Sequence, residues 1–411
     1  LRLFALGYIS PRWQIENINQ IMGSFMTDRQ DISGSSSSGA GDTVQGGADF
    51  QGLSREIIWL VIKNLLLTIV TLGFYRFWAR TNVRRYLWEK MHVFGSPLEY
   101  TGTGKELFLG FLIVAFGFFV PVFVINLLVS MLDNYVVAAI WGLSLPFLFF
   151  YLIGVAIYRA RRYRLSRTRW RSIRAGQTGG GWTYGLWHIL LNALMIFFAL
   201  ILPYKNMKLW RIKMQNTHLG NRFFVFDQDG AARQTLVTLY LSYVVIALVV
   251  IVVYALPFIA VGLTLGGEVF TGALSQAEIQ TQVEMKLQTN SGMLTMFALV
   301  WPISLLVFAI GMAWYKLKET RFLVGLTTFE DLKLSFNATL LSFFWLYLGN
   351  MLILIFTLGI GLPFTQVRYA RFLAHHTGID GELDLGTISQ SADDDLTSGE
   401  GLAEAFDMGA V

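Results

Sequence analysis

The sequence has no cysteine, and charged residues make up only 14% of its 411 positions. The absence of cysteine excludes disulfide bonds, thiolate catalysis and thiolate metal sites. Soluble domains carry roughly a quarter of charged residues, so the low charge and the mean hydropathy of +0.52 indicate a lipid surrounding. The composition therefore predicts an integral membrane protein.

Four segments lack every Asp, Glu, Lys, Arg and His. Each of them is longer than the roughly 20 residues that a helix needs to cross a bilayer. We predict that all four span the membrane, and they are residues 107–130, 135–158, 236–265 and 293–315.

Three further apolar segments, 57–75, 184–203 and 340–363, each carry an asparagine in their interior. A polar side chain is costly at the centre of a bilayer. Both linkers that flank 184–203 are rich in Arg and Lys, and short cytoplasmic loops hold the excess of these residues. A full crossing would place one of these linkers outside. We therefore predict three re-entrant or interfacial segments, with seven spanning helices as the alternative.

Short motifs recur along the chain. Phe50-x-Gly52 returns as Tyr100-x-Gly102, and each copy opens an apolar segment. The basic linkers end in glycine followed by short alternating runs, which is typical of a turn and a strand.

The predicted fold is an all-α polytopic membrane protein with internal repeats and short cytoplasmic β-hairpins. The predicted divisions are a disordered Ser/Gly-rich segment 1–47, membrane repeat one 48–183, membrane repeat two 184–339, a half repeat 340–385 and a disordered acidic tail 386–411.

Two basic stretches form long and specific motifs. The first runs Thr-Leu-Gly-Phe-Tyr-Arg-Phe-Trp-Ala-Arg over 71–80, Arg-Arg-Tyr-Leu-Trp over 84–88 and Glu-Tyr-Thr-Gly-Thr-Gly-Lys-Glu-Leu over 99–107. The second runs Tyr-Arg-Leu-Ser-Arg-Thr-Arg-Trp-Arg over 163–171. These motifs resemble the YjgN family of bacterial inner-membrane proteins. The resemblance implies an inner-membrane location and a domain of unknown function.

The arginines of the basic linkers stand beside Trp and Tyr, a combination suited to phosphate headgroups at a membrane surface. A simpler interpretation is that these arginines only set the orientation of the chain. A basic patch next to a membrane meets lipid first, so no nucleic-acid partner is expected. The candidate residues for binding lipid headgroups are Arg80, Arg84, Arg85, Arg164, Arg167, Arg171 and Arg211.

Asn64, Asn192 and Asn350 occupy equivalent places in the three shorter apolar segments. They are candidates to line a path for a small solute. The simpler interpretation is that each amide forms a hydrogen bond between helices.

The sequence carries no recognisable catalytic motif. It has no phosphate-cradling loop, no Gly-x-Ser-x-Gly turn and no paired His and Glu of a metalloprotease. The five histidines lack the spacing of metal ligands, so neither a metal nor a cofactor is expected.

We therefore predict a non-enzymatic protein whose basic cytoplasmic face, with the linkers and the C-terminus, binds anionic membrane lipids. The alternatives are a transporter or channel for a small solute and a membrane-embedded lipid-modifying enzyme. The sequence neither indicates nor excludes a homo-oligomer.

Overall fold

The computed structural model describes residues 43–44, 47–226, 231–265, 275–289 and 291–390. The predicted disordered segments lie outside these residues, apart from 43–44 and 47 at one end and 386–390 at the other. The described helices are α1 (Ser54–Val70), α2 (Arg76–Lys90), α3 (Gly104–Met131), α4 (Tyr135–Ser166), α5 (Gly181–Phe197), α6 (Leu202–Gln215), α7 (Ala231–Leu265), α8 (Gln276–Thr289), α9 (Ser291–Gly325), α10 (Leu340–Phe356) and α11 (Leu362–His376).

Ten short strands separate the helix pairs in the described part of the chain. Two further strands of two residues, Thr43–Val44 and Leu383–Asp384, are not part of this set. The ten are β1 (Ala48–Phe50), β2 (Met91–Val93), β3 (Ser96–Tyr100), β4 (Thr168–Trp170), β5 (Ile173–Gln177), β6 (Thr217–Leu219), β7 (Arg222–Phe226), β8 (Thr327–Phe329), β9 (Leu332–Phe336) and β10 (Thr377–Asp380).

These elements form five successive units within the described residues, each built as strand, helix, helix and strand. The units are β1-α1-α2-β2, β3-α3-α4-β4, β5-α5-α6-β6, β7-α7-α9-β8 and β9-α10-α11-β10, with α8 as an insertion in the fourth. The two strands of a unit pair with each other across their helix pair, as Tyr100 of β3 pairs with Thr168 of β4. Tight turns such as Phe94–Gly95, both with positive φ, connect one unit to the next.

The prediction of an all-α protein with separate hairpins is wrong. All ten described strands join in one antiparallel sheet in chain order from β1 to β10, and this sheet is nearly closed like a barrel. The sequence shows only the turn between the two strands of each hairpin. Each strand also pairs with a second strand, which lies a whole helix pair away in the chain. Such long-range pairing leaves no local pattern of residues.

The sheet has an apolar interior at its turn end. Each strand from β2 to β10 contributes one residue to this core, and the later segment adds Leu383 and Ile388, which are 2% and 7% exposed. Residues 386–390 thus lie against the sheet, where Ser389 donates its N–H to Oδ1 of Asn221 at 3.0 Å. The residues that the even strands contribute are Val93, Trp170, Leu219, Phe329 and Ile379.

Four helices in the described ranges are long and apolar enough to cross a membrane, and they cover Gly104–Met131, Tyr135–Ser166, Leu236–Leu256 and Ala298–Gly325. They agree in place with the four predicted spanning segments. The first contains a π-helical turn at Ala115–Phe119 next to Pro121, whose ring and missing N–H disturb the regular ladder.

The three segments that carry the asparagines form shorter helices, α1, α5 and α10, of 17 residues each. At 1.5 Å per residue each is about 25 Å long, less than the thickness of the hydrocarbon layer. Each helix packs against the helix that follows it, and that helix leads back to the sheet. Seven full crossings would place consecutive linkers on opposite sides, which one continuous sheet does not allow.

Candidate functional site

The first and the fifth unit meet without a chain connection, and we call this contact the seam. No ladder pairing joins β10 to β1 in the described residues, although the two strands approach each other. Arg371 on α11 donates from Nη2 to the carbonyl oxygen of Gly52, 2.8 Å away. Arg321 of the fourth unit makes the equivalent bond to the carbonyl of Ala338 in the fifth. The same contact that joins two connected units therefore also holds the seam.

A cavity of about 180 Å³ lies at the seam between α1, α2 and α11. Its polar lining residues include Asn64, Arg80, Arg84 and Gln366. Because Arg80 and Arg84 are four residues apart on α2, they share one face of that helix. The remaining wall is mostly apolar and includes Val61, Leu65, Ala79, Val83, Ile360, Leu362 and Pro363.

Hydrogen bonds hold the polar groups of this cavity in place. Arg84 is 7% exposed and donates from Nη1 to the hydroxyl of Tyr100 at 3.4 Å. Asn64 is 5% exposed and donates to the carbonyl of Ala79 at 3.4 Å. Its Oδ1 accepts from Nδ2 of Asn82 at 3.2 Å. Hydrogen bonds therefore hold Asn64 and Arg84, two of the polar side chains that line the cavity.

A second and larger cavity, of about 770 Å³, lies at the same seam beside β1. Phe50 of β1 forms one wall, and α10 and α11 form the other. Five titratable side chains line it, namely the basic residues Arg368, Arg371, His375 and His376 and the acid Asp49. The seam therefore carries basic groups along both cavities.

The seam brings together two of the seven predicted lipid-binding arginines, Arg80 and Arg84, with one of the three predicted asparagines. Arg85 lies on the exposed face of α2, away from the cavity. The other four arginines are distributed over the second and third units, where Arg167 pairs with Glu106 at 3.2 Å. Arg171 donates to Ser96 Oγ at 2.8 Å, Arg211 donates to Gln215 Oε1 at 3.2 Å, and the charge of Arg164 acts on Lys213.

Two of the three asparagines, Asn64 and Asn192, bond within their own helix pairs. Asn64 bonds to α2, as described above. Asn192 donates to the carbonyl of His188 at 2.7 Å and accepts from Lys205 Nζ at 3.0 Å. The Oδ1 of Asn350 is buried and accepts no hydrogen bond in the described structure. These contacts match the simpler interpretation of hydrogen bonds between helices, and the solute path stays a prediction.

Sequence reasoning missed Gln366 and the arginines that join neighbouring units. Gln366 reaches the cavity only because the nearly closed sheet brings α11 next to α1. The joining arginines do leave a signal, because each return helix has an arginine six residues before the strand that follows it. Arg85, Arg162, Arg211, Arg321 and Arg371 occupy this position, and the described structure shows a hydrogen bond to the next unit for Arg321 and Arg371.

Metal ligands do not cluster in the described ranges, where no group of three His, Asp or Glu side chains comes together. The smaller seam cavity has arginine and amide side chains beside a mostly apolar wall.

Residues 46–405 match the model of a family described as bacterial protein of unknown function (DUF898). The chain belongs to this family. The match covers the seam, the sheet and all five units. Two similar proteins are both called inner membrane protein YjgN, so the resemblance to the YjgN family is confirmed.

The YjgN protein of Escherichia coli O157:H7 is 37% identical over 70 residues, which is 17% of this chain and 18% of the relative. The YjgN protein of Salmonella typhimurium strain LT2 is 37% identical over 65 residues, or 16% of each chain. The matched part thus spans less than a fifth of these relatives. No solved structure matches the chain. Together with the four apolar helices, the comparisons identify a membrane protein of a family without a known function.

Proposed function

We propose that the protein binds an anionic phospholipid without turning it over, and that the phosphate group enters the seam cavity. The observation that carries this proposal is the pairing of Arg80 and Arg84 with Asn64 above an apolar wall. Guanidinium groups bind phosphate through two donors at once, which ammonium groups do not.

The size of the cavity limits what it takes in. About 180 Å³ accommodates a phosphate group with its neighbouring carbons but not a whole lipid. The acyl chains would therefore stay outside, against the exposed apolar face of α1. Leu66 and Ile69 on this face are 58% and 62% exposed.

Basic side chains over aromatic rings support attraction of the protein to anionic lipid in general. Lys318 lies 3.9 Å from the ring centroid of Trp314, Lys208 lies 4.7 Å from that of Trp187, and Arg159 lies near Trp182. Such pairs suit the membrane interface, where the ring meets lipid and the cation meets headgroups.

The test is the lipid that stays with the purified protein, measured by native mass spectrometry. In the double variant Arg80→Gln and Arg84→Gln we expect at least tenfold less bound phosphatidylglycerol. Arg85→Gln is the matched control, because it removes the same charge from the exposed face of the same helix. Equal retention by the double variant and the control would contradict the proposal.

A second variant tests the cavity without removing any charge. Ala79→Leu places extra carbon atoms in the cavity and leaves the backbone carbonyl that Asn64 uses. We expect it to lower lipid retention several-fold while the protein stays folded. A folded variant with unchanged retention would show that lipid binds elsewhere.

We also propose that the sheet lies on the cytoplasmic side, since the basic linkers lead into it. Cysteine substitutions at Ser172, in an exposed turn of the sheet, and at Gln276, on the insertion helix α8, test this orientation. In intact cells a membrane-impermeant thiol reagent should label only the Gln276→Cys variant. Labelling of the Ser172→Cys variant would reverse the orientation.

A further inference from the structure

The third unit breaks a pattern that the other described units share. The strand before each helix pair ends in a buried residue, and this residue is aromatic in four units: Phe50, Tyr100, Phe226 and Phe336. In the third unit it is Gln177, which is only 3% exposed. A polar amide therefore stands where the other units place a ring.

An arginine of the second unit reaches this position. Nη1 of Arg161, on α4, donates to Gln177 Oε1 at 2.7 Å and to Thr217 Oγ1 at 2.7 Å. The same nitrogen lies 3.3 Å from the carbonyl oxygen of Lys213. Among the described residues Nη2 meets only the thioether sulfur of Met214, at 3.6 Å, which is a weak acceptor. One side of the guanidinium group thus lacks a strong acceptor.

The amide of Gln177 is half satisfied. Its oxygen accepts from Arg161, whereas Nε2 is buried and donates no hydrogen bond within the described structure. A buried donor without an acceptor costs about 1–3 kcal/mol. Because the oxygen must face Arg161, turning the amide over would not relieve this cost.

Positive charge accumulates around the same place. Lys213 on α6 is half-buried and has no ion pair among the described residues. Burial, together with the charges of Arg161, Arg164 and Lys316, lowers the pKa of Lys213 to about 8.

The buried acid of the neighbouring fourth unit does not compensate this charge. Glu319 already accepts hydrogen bonds from Asn206 at 2.6 Å, Tyr315 at 2.9 Å and Lys316 at 2.6 Å. Buried charges normally occur with a partner of opposite sign.

We propose that Arg161, Gln177 and Lys213 bind a small oxyanion of the phosphate class at the junction of the second and third units. Its oxygens would accept from Gln177 Nε2, from Arg161 Nη2 and from the Lys213 ammonium group. Lys213 keeps part of its surface exposed and thus marks the side from which an ion enters. The oxyanion is either a free ion or the phosphate of a lipid. This site is separate from the seam and does not depend on the function proposed for it.

The test is the saturable rise in melting temperature when sodium sulfate replaces sodium chloride at constant ionic strength, with the full chain in detergent. Gln177→Phe restores the pattern of the other units, and a phenylalanine already faces threonine in two equivalent strand pairs, Phe226 with Thr327 and Phe336 with Thr377. We expect this variant to fold and to bind sulfate at least tenfold more weakly.

Lys213→Met keeps the length of the side chain and removes the charge, so it should weaken sulfate binding to a similar extent. Lys208→Met is the matched control on the same helix. Both lysines lie over a tryptophan, Lys208 over Trp187 and Lys213 over Trp210, but Lys208 is not one of the charges that act on Lys213. The control should respond to sulfate like the unchanged protein. The same sulfate response in Gln177→Phe and Lys213→Met as in the unchanged protein would overturn the proposal.

Two further probes distinguish the source of the oxyanion. Inorganic phosphate that stabilises the protein and competes with sulfate supports a free ion. Stabilisation by phosphatidylglycerol vesicles but not by phosphatidylcholine vesicles or inorganic phosphate, lost again in Gln177→Phe, supports a lipid phosphate. If none of these probes stabilises the protein, no oxyanion binds there.

Discussion

The seam and the junction of the second and third units are built on one plan but differ in closure. At the junction a hairpin turn joins β4 to β5, and Arg161 reaches into the next unit at Gln177. At the seam no chain connection exists, and cavities of about 180 and 770 Å³ remain. A connected junction can hold a small polar site, whereas an unconnected one leaves room for a larger amphipathic ligand.

The largest expected difference concerns packing. A Cβ atom on Gly176 would overlap the buried ring of His218, on the paired strand β6. At the seam, a Cβ atom on Gly52 would meet the ring of Phe50, which has the larger cavity beside it. Gly176→Ala should therefore destabilise the protein by about 1–3 kcal/mol, and Gly52→Ala by less. Thermal unfolding in detergent measures both, and an equal loss would mean that the seam is as closed as the junction.

The next effect concerns the arginines that join units. Arg371→Gln removes the bond to Gly52 at the seam, and Arg321→Gln removes the equivalent bond between two connected units. Each bond should contribute about 1.5–3 kcal/mol, because one partner is charged. Only Arg371→Gln should speed amide hydrogen exchange in β1 and β10, since only there does no turn hold the strands. Similar exchange in both variants would show that the turn does not matter.

A smaller effect, several-fold in affinity, distinguishes the two sites by pH. Lys213 faces Arg161 and Arg164 on α4, Lys316 on α9 and His188 on α5, and its pKa is about 8. A charged Lys213 binds an anion better, so sulfate affinity should be highest below pH 8 and fall as the pH rises through that value. Sulfate itself does not titrate in this range.

In the proposed seam site the cationic ligands are arginines, and the ordinary pKa of a guanidinium group lies well above this range. Retention of phosphatidylglycerol should therefore stay constant between pH 7 and pH 9.5. Parallel titrations of both ligands on the unchanged protein measure the contrast. If sulfate affinity and phosphatidylglycerol retention both fell as the pH rises, a titrating group would lie at the seam as well.

The smallest effect compares the asparagines on the two sides of the seam. Asn64 has partners for both ends of its amide, whereas the Oδ1 of Asn350 has none among the described residues. Asn64→Leu should cost about 1 kcal/mol, and Asn350→Leu should be neutral or stabilising. Thermal unfolding measures both, and a large loss for Asn350→Leu would reveal a partner for that amide.

The sequence alone predicts the parts of the fold that depend on nearby residues. Long runs without charge locate the four long helices, and glycines such as Gly95 mark turns. Gly52 and Gly102 recur because the preceding ring lies over each: a Cβ atom on Gly102 would lie 2.6 Å from the hydroxyl of Tyr100. The motif therefore recurs because the same packing of an aromatic side chain on a glycine occurs within each of these units.

The sequence does not predict what depends on distant pairing. Tyr100 and Thr168 pair across a whole helix pair, and Asn64 and Gln366 line one cavity only because the fifth unit lies next to the first. Arg80 and Arg85 both look like headgroup ligands in the sequence. Only the orientation of α2 separates the one that lines the cavity from the one that faces outward.

The covalent order of the units has a consequence for symmetry. In a circular assembly of five identical peptides, a glutamine at the end of the first strand would occur five times. It would replace every aromatic side chain that packs at this position. In one continuous chain the change occurs once, at Gln177, while Phe50, Tyr100, Phe226 and Phe336 keep their packing. Because the units belong to one chain, their circular arrangement can depart from symmetry at a single position and keep its overall form.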